Sequence, residues 1–287
     1  MFCKPGKGRQ FGGIFNNAIL AVGSIGFFPL QTSYLSPPNV PDMQLFFTTD
    51  IIGQRAALPA DEARHCVQVL RKKPGDRVQF IDGEGGMFTG RILEVGKKSC
   101  VIAVEEEERN YQPLPAAVHL AVAPTKNISR IEWLLEKATE IGLTAFHPFF
   151  SEHSERKVLK PERLEKIALS AAKQSGRAYV PKIMPAVPFA DFLEQAPVCE
   201  QRFAAYLGEG VKGSLKLNYR PGADVCLLIG PEGGFSPREA ALAASKGYAL
   251  VSLGPNRLRT ETAALAACHT VNLINQDFHT RLDDRSL

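Results

Sequence analysis

The sequence predicts an α/β protein with a mainly parallel sheet, preceded by a small β-barrel. Three observations lead there. From Ala116 onward, apolar runs of the buried-strand type alternate with amphipathic helical stripes, the pattern of a parallel sheet covered by helices. Between Met43 and Pro115, short alternating runs are broken by turn residues and interrupted by one helix, as in small barrels. The chain has 287 residues, and at roughly 150 residues per domain that length supports about two domains.

The elements follow in order. Gln44 to Thr48 and Arg77 to Ile81 read as strands, and Met87 to Val95 and Ser99 to Glu105 complete the first set. The turns Pro74-Gly75-Asp76, Asp82-Gly83 and Gly96-Lys97 separate them. A helix is expected from Asp61 to Arg71, ending in the basic triplet Arg71-Lys72-Lys73. That triplet is placed to touch phosphates, or simply to solvate a helix terminus favoured by the macrodipole. Glu105 to Glu108 reads as a solvated strand end, and Pro113-Leu114-Pro115 as a linker.

Val118 to Val122 then reads as a buried strand. Ser129 with Glu132 has the spacing of a capping box, and Ile131, Leu134, Leu135, Ala138 and Ile141 form one helical stripe closed by Gly142. Ala145 to Phe150 is a strand, and Pro161 opens a helix with Leu164, Ile167, Ala168 and Ala171 on one face. Arg202–Leu207, Val225–Ile229 and Leu250–Leu253 are further strands. Ser236-Pro237-Arg238-Glu239 is a second capping box whose helix ends near Gly247, and Thr262 to Asn275 is the last helix.

Residues 1–42 differ from the rest. Lys4, Lys7 and Arg9 precede an apolar run from Ala18 to Leu30 that Gly23, Ser24, Gly26 and Pro29 interrupt, and no A-x-A site follows. A signal peptide or bilayer-spanning helix fits poorly. The stretch reads as an unstructured or non-native extension, with Met43 as the natural start. Expected domains are therefore 1–42 extension, 43–113 barrel and 116–287 α/β domain.

An apolar fraction of 45% and a charged fraction of 22% exclude a mainly disordered, collagenous or coiled-coil chain. The net charge of +4 permits an anionic partner without requiring one. The 6 cysteines include no CxxC pair and no cluster with histidines, so no metal site is expected. Buried reduced thiols, and with them a cytoplasmic location, fit better.

Ligands of parallel sheets bind at the carboxyl ends of strands. Two such ends here are unusual: Gly230-Pro231-Glu232-Gly233-Gly234-Phe235 after one strand, and Gly254 to Thr262 after another. Glycines let a backbone approach a ligand closely, although a tight strand-to-helix turn also explains Gly233-Gly234. Neither a P-loop nor a GxGxxG fingerprint is present.

These two loops carry a resemblance. Leu228-Ile229-Gly230-Pro231-Glu232-Gly233-Gly234-Phe235-Ser236, then Leu253-Gly254 and Leu258-Arg259-Thr260-Glu261-Thr262-Ala263, are similar to the signature of the SPOUT methyltransferases, and within them of the RsmE-type 16S ribosomal RNA (uracil-N3) methyltransferases. His65 with Val69-Leu70-Arg71 and Gly75-Asp76, Lys137 to Glu140, Gln174 to Arg177 and Val180-Pro181 match as well, so the resemblance covers Met43 to about Asp277. Where a Thr-Glu-Arg-Ser-like run is usual, this chain has Ser151-Glu152-His153-Ser154, with Arg156 displaced.

The resemblance implies a SPOUT-type α/β domain with a trefoil knot within residues 225–275 and a PUA-like barrel. It implies S-adenosylmethionine as cofactor, held by Leu228, Ile229, Gly230, Pro231, Glu232, Gly233, Gly234, Leu253, Gly254, Leu258, Thr262 and Ala263. Its implied catalytic candidates are Arg259, Glu261 and Glu232, and its RNA contacts Arg71, Lys72, Lys73 and Arg177. The implied partners are 16S rRNA of the small ribosomal subunit and a second copy of the chain, with no metal and no membrane. Glu261 also reads as a carboxylate stabilising the start of the last helix. Action on another RNA or atom, such as a tRNA ribose, and a non-catalytic assembly role are the competing readings.

Overall fold

The structure, a computed structural model, describes residues 44–283, with side chains to Phe278. The extension expected over residues 1–42 lies outside the described residues.

The first sheet has six strands: β1 (Leu45–Phe47), β2 (Ile51–Ile52), β3 (Arg55–Ala57), β4 (Arg77–Ile81), β5 (Met87–Val95) and β6 (Cys100–Glu108). Their order is β1-β4-β5-β6-β3-β2; β1 pairs parallel with β4 and the other pairs are antiparallel. Alternation along β4 and β5 sends Val78, Phe80, Phe88 and Ile92 inward, and the Phe80 and Phe88 rings stack 4.9 Å apart. β2 and β3 were not expected, since two or three residues show no period. The helix expected over 61–71 is instead α1 (Ala60–Arg64) followed by a π-helical turn over His65–Val69. Arg71 then leaves the helical path at φ 54. Glu105, Glu106 and Glu107 at the solvated end of β6 pair with Arg77, Arg91 and Arg109.

The second sheet has seven strands: β7 (Val118–Val122), β8 (Ala145–Phe150), β9 (Lys182–Ile183), β10 (Val187–Pro188), β11 (Gln201–Ala205), β12 (Val225–Ile229) and β13 (Ala249–Val251). All of its pairs are parallel, in the order β10-β8-β7-β12-β11-β13, with β9 also on β8. β12 sits inside the sheet and is buried along its whole length, as a near-continuous apolar run requires.

Helices cover both faces. Val118, Leu120, Val122, Leu227 and Ile229 pack with α2 (Ile128–Ile141), α3 (Pro161–Gln174) and α7 (Thr260–Asp283). Ala121, Phe149, Cys226 and Leu228 on the opposite face pack with α4 (Phe189–Gln195) and α6 (Pro237–Ser245). The short α5 (Leu215–Asn218) adds Leu215 to the first core. Truncating a fully buried residue such as Leu134 costs about 2–5 kcal/mol by this logic.

One cap differs from expectation. α2 starts at Ile128, and its N-cap is Asn127, whose side-chain oxygen accepts from the Ser129 N–H at 3.1 Å. Ser129 is inside the helix, and Glu132 is taken by Arg163 of α3. The capping box at Ser236 and Glu239 is present. Cys66, Cys100, Cys226 and Cys268 are buried free thiols, and burial pushes Cys226 and Cys268 up to about 12.

Candidate active site

The loop after β12 and the loop after β13 come together at the carboxyl end of the second sheet. They enclose a cavity of about 610 Å³, within the few hundred to 1,000 Å³ usual for a small-molecule site. Of the residues named from the sequence, Ile229, Gly230, Pro231, Glu232, Gly233, Gly234, Leu253, Gly254, Leu258, Arg259 and Ala263 line it. Leu228 and Thr262 do not: Leu228 is buried in the core below, and Thr262 is exposed on α7. Sequence reading missed the wall made by Ala205 to Gly208 after β11; Asn256 and Arg257, inside the Gly254 to Thr262 loop it singled out but given no role, also line the cavity.

The loop shape has local causes. Gly234 and Gly254 have φ of +72 and +130, which side chains rarely tolerate. Ser252 fixes the second loop, accepting from the Gly254 N–H and donating to the Gly254 carbonyl. Below the first loop, Phe235 stacks on Phe149 at 6.0 Å and meets Phe189 at 5.3 Å. At its outer side His153 lies against Gly233, and its Nδ1 is 3.1 Å from the Gly234 carbonyl. A carbonyl only accepts, so Nδ1 carries the proton. Arg156 donates to the Thr125 and Lys126 carbonyls, which ties this loop to the start of α2.

The two candidate carboxylates differ. Glu232 is exposed on the cavity wall, with Oε1 accepting from the Lys126 N–H at 3.0 Å. Glu261 is buried in the first turn of α7 and does not line the cavity. Its Oε1 is 3.8 Å from Arg130, and its Oε2 is buried without a partner. Arg259 is exposed at the cavity.

The basic triplet lies on the first sheet's side, after the π-helical turn. Arg71 and Lys73 are exposed and Lys72 half-buried, and among the described residues none forms an ion pair. This sets the triplet apart from Arg77, Arg91 and Arg109, which the β6 carboxylates neutralise. Arg177 is elsewhere, half-buried after α3; burial lowers its affinity for the proton, partly offset by Cys268. Among the described residues no helix is long and apolar enough to cross a membrane. Among them no group of three or more His, Cys, Asp or Glu side chains could hold a metal ion.

Comparison with known proteins adds the family. Residues 112–272 match the RNA methyltransferase domain and residues 58–105 the RNA methyltransferase PUA domain. The chain belongs to the RsmE-type RNA methyltransferase family. A Synechocystis relative named ribosomal RNA small subunit methyltransferase E is 33% identical over 237 residues, 78% of this chain and 75% of that protein. The crystal structure of a probable rRNA-methyltransferase from Porphyromonas gingivalis has a TM-score of 0.76 at 43% identity, covering 82% of this chain and all (100%) of that one. A ribosomal RNA small subunit methyltransferase E from Neisseria gonorrhoeae, crystallised with S-adenosyl methionine, has a TM-score of 0.70 at 27% identity and covers 81% of this chain and 98% of that one. The expected order holds: an α/β RNA methyltransferase domain with a parallel sheet follows a PUA domain.

Proposed function

We propose that this RNA methyltransferase transfers a methyl group from S-adenosylmethionine to N3 of a uridine in 16S rRNA of the small ribosomal subunit. The observation that carries the reading is the glycine-walled cavity with Arg259 at its edge, in a chain whose relatives are named for this rRNA. The cavity fits the cofactor in size, and backbone at positive φ leaves open space where side chains would stand at Gly234 and Gly254.

The sulfonium supplies the methyl group; the protein's own residues do the rest. Backbone of 229–234, 253–254 and 258 holds the adenosine. Uracil N3 is weakly acidic, so its proton leaves before or during attack. The Arg259 guanidinium faces negative charge growing on a uracil oxygen. Glu232 is better placed than Glu261 to receive the proton, because Glu261 is turned into the protein. Arg71, Lys72 and Lys73 hold RNA phosphates, with Arg177 as a further contact. N3 is covered in a duplex, so the target base is unpaired or flipped.

The same reading assigns 43–113 to RNA binding and 116–287 to catalysis in a cytoplasmic homodimer. It includes the trefoil threading of 225–275: after β13 at the sheet edge, α7 returns to pack on β12 and β7. Incubating the chain with S-adenosylmethionine and 16S rRNA lacking the modification, followed by mass spectrometry of nucleosides, should yield 3-methyluridine. Methylated ribose instead would move the reading to another atom, and no S-adenosylmethionine binding by calorimetry would end it.

A further inference from the structure

The segment Lys173 to Ile183 is built as a clamp between the two sheets. α3 ends in a Schellman motif: Gly176 has φ +71, and the Arg177 N–H reaches the Ala172 carbonyl at 2.9 Å. That turn sends the chain between the sheets. On one side the Val180 N–H donates to Gly83, and the Gly85 N–H donates to Ala178. On the other, the Lys182 and Met184 N–H groups donate to Thr144 and Phe146. Ala178 is buried with Leu45 and Ile81, and a Cβ on Gly85 would collide with the Tyr179 ring. One turn earlier, Lys173 Nζ is 2.6 Å from Glu62 Oε1, and the two side chains are only 16% and 15% exposed. Glu62 Oε2 is buried without a partner.

Such an ion pair adds little net stability, because desolvation offsets the attraction. It does select one arrangement. Glu62 sits on α1, and α1 runs through the π-helical turn directly into Arg71-Lys72-Lys73.

We propose that Lys173 and Glu62 are positioning residues for RNA. With the strap over 178–183 they hold the basic turn at one fixed place relative to the cofactor cavity, so that one RNA engages both. The proposal rests on the RNA methyl transfer argued above. Two contacts held rigidly bind as one event at high effective concentration, and a loose joint loses that gain without altering either contact.

The test uses the full chain with Lys173→Met, Glu62→Gln and the exchanged pair Glu62→Lys/Lys173→Glu. Both single variants should raise the RNA KM, or lower the single-turnover rate, by about tenfold or more, with S-adenosylmethionine affinity unchanged. The exchanged pair should recover most of the loss. A purely structural pair would lower the melting temperature and leave KM and rate alone below it. A Lys173 that touches RNA itself would give no recovery on exchange. Either result overturns the proposal. Hydrogen exchange at the Gly85 and Val180 amides should quicken in Lys173→Met whether or not RNA is the substrate, and unchanged protection there also overturns it. A wild-type chain that methylates no RNA would instead refute the functional reading, so the two failures are distinguishable.

Discussion

Arg259 and Gly233 show how far single residues carry the functional argument. If Arg259 stabilises a uracil anion, it contributes more in the transition state than in the ground state. Arg259→Lys should then lower turnover more than it weakens binding of either substrate, because a point charge does not reproduce the planar fork. Loss of one well-placed donor of this kind costs about 10²–10³ in rate. Single-turnover rates at saturating RNA and cofactor check it, and a near-wild-type rate would remove Arg259 from the chemistry. Gly233 was legible in the sequence as a site where the backbone must come close, but not what it comes close to. A Cβ there would lie 2.9 Å from His153 Cβ, across from another loop 80 residues away in sequence. No local pattern encodes that contact. The same holds for Glu261, whose motif position suggested chemistry while its burial beside Arg130 turns it from the cavity.

Elements were more legible than their ends and their cross-strand neighbours. The stripe of α2 was plain, yet its cap moved from Ser129 to Asn127, because both residue types accept a backbone N–H equally well. Strand periodicity located β7 and β8 but not the pairing that sets His119 against His147, with Nδ1 of one 3.0 Å from Nε2 of the other. Burial, then the His119 ring, pushes His147 down to about 4; burial also lowers His119, partly offset by Asp224. The unfolded chain therefore takes up protons near pH 6.5, while the folded chain resists until about 4. Stability present above pH 6.5 should be lost as pH falls toward 4. Urea midpoints at a series of pH values should show a shallower acid slope in His147→Gln than in the wild type. An equal slope would mean that other groups set the acid limit.

At the scale of the whole molecule, strand order was the part that no pattern could supply. β11 lies between β12 and β13, which brings Ala205 to Gly208 into the cavity wall although that segment carries no motif. Charge balance is also a property of the whole. The net +4 is small, and Arg77, Arg91 and Arg109 are already neutralised by Asp82 and the β6 carboxylates. The triplet Arg71-Lys72-Lys73 forms no ion pair among the described residues, so three consecutive cations there are available to an anion. Each phosphate contact releases counterions and adds about 0.7 to the slope of log affinity against log salt for single-stranded RNA. Replacing all three residues by Gln should weaken RNA binding across sequences and flatten that slope by about 2, with S-adenosylmethionine affinity unchanged. A residual slope equal to that of the wild type would leave the triplet as a solvated helix end, its charge serving the macrodipole of the preceding turn rather than RNA.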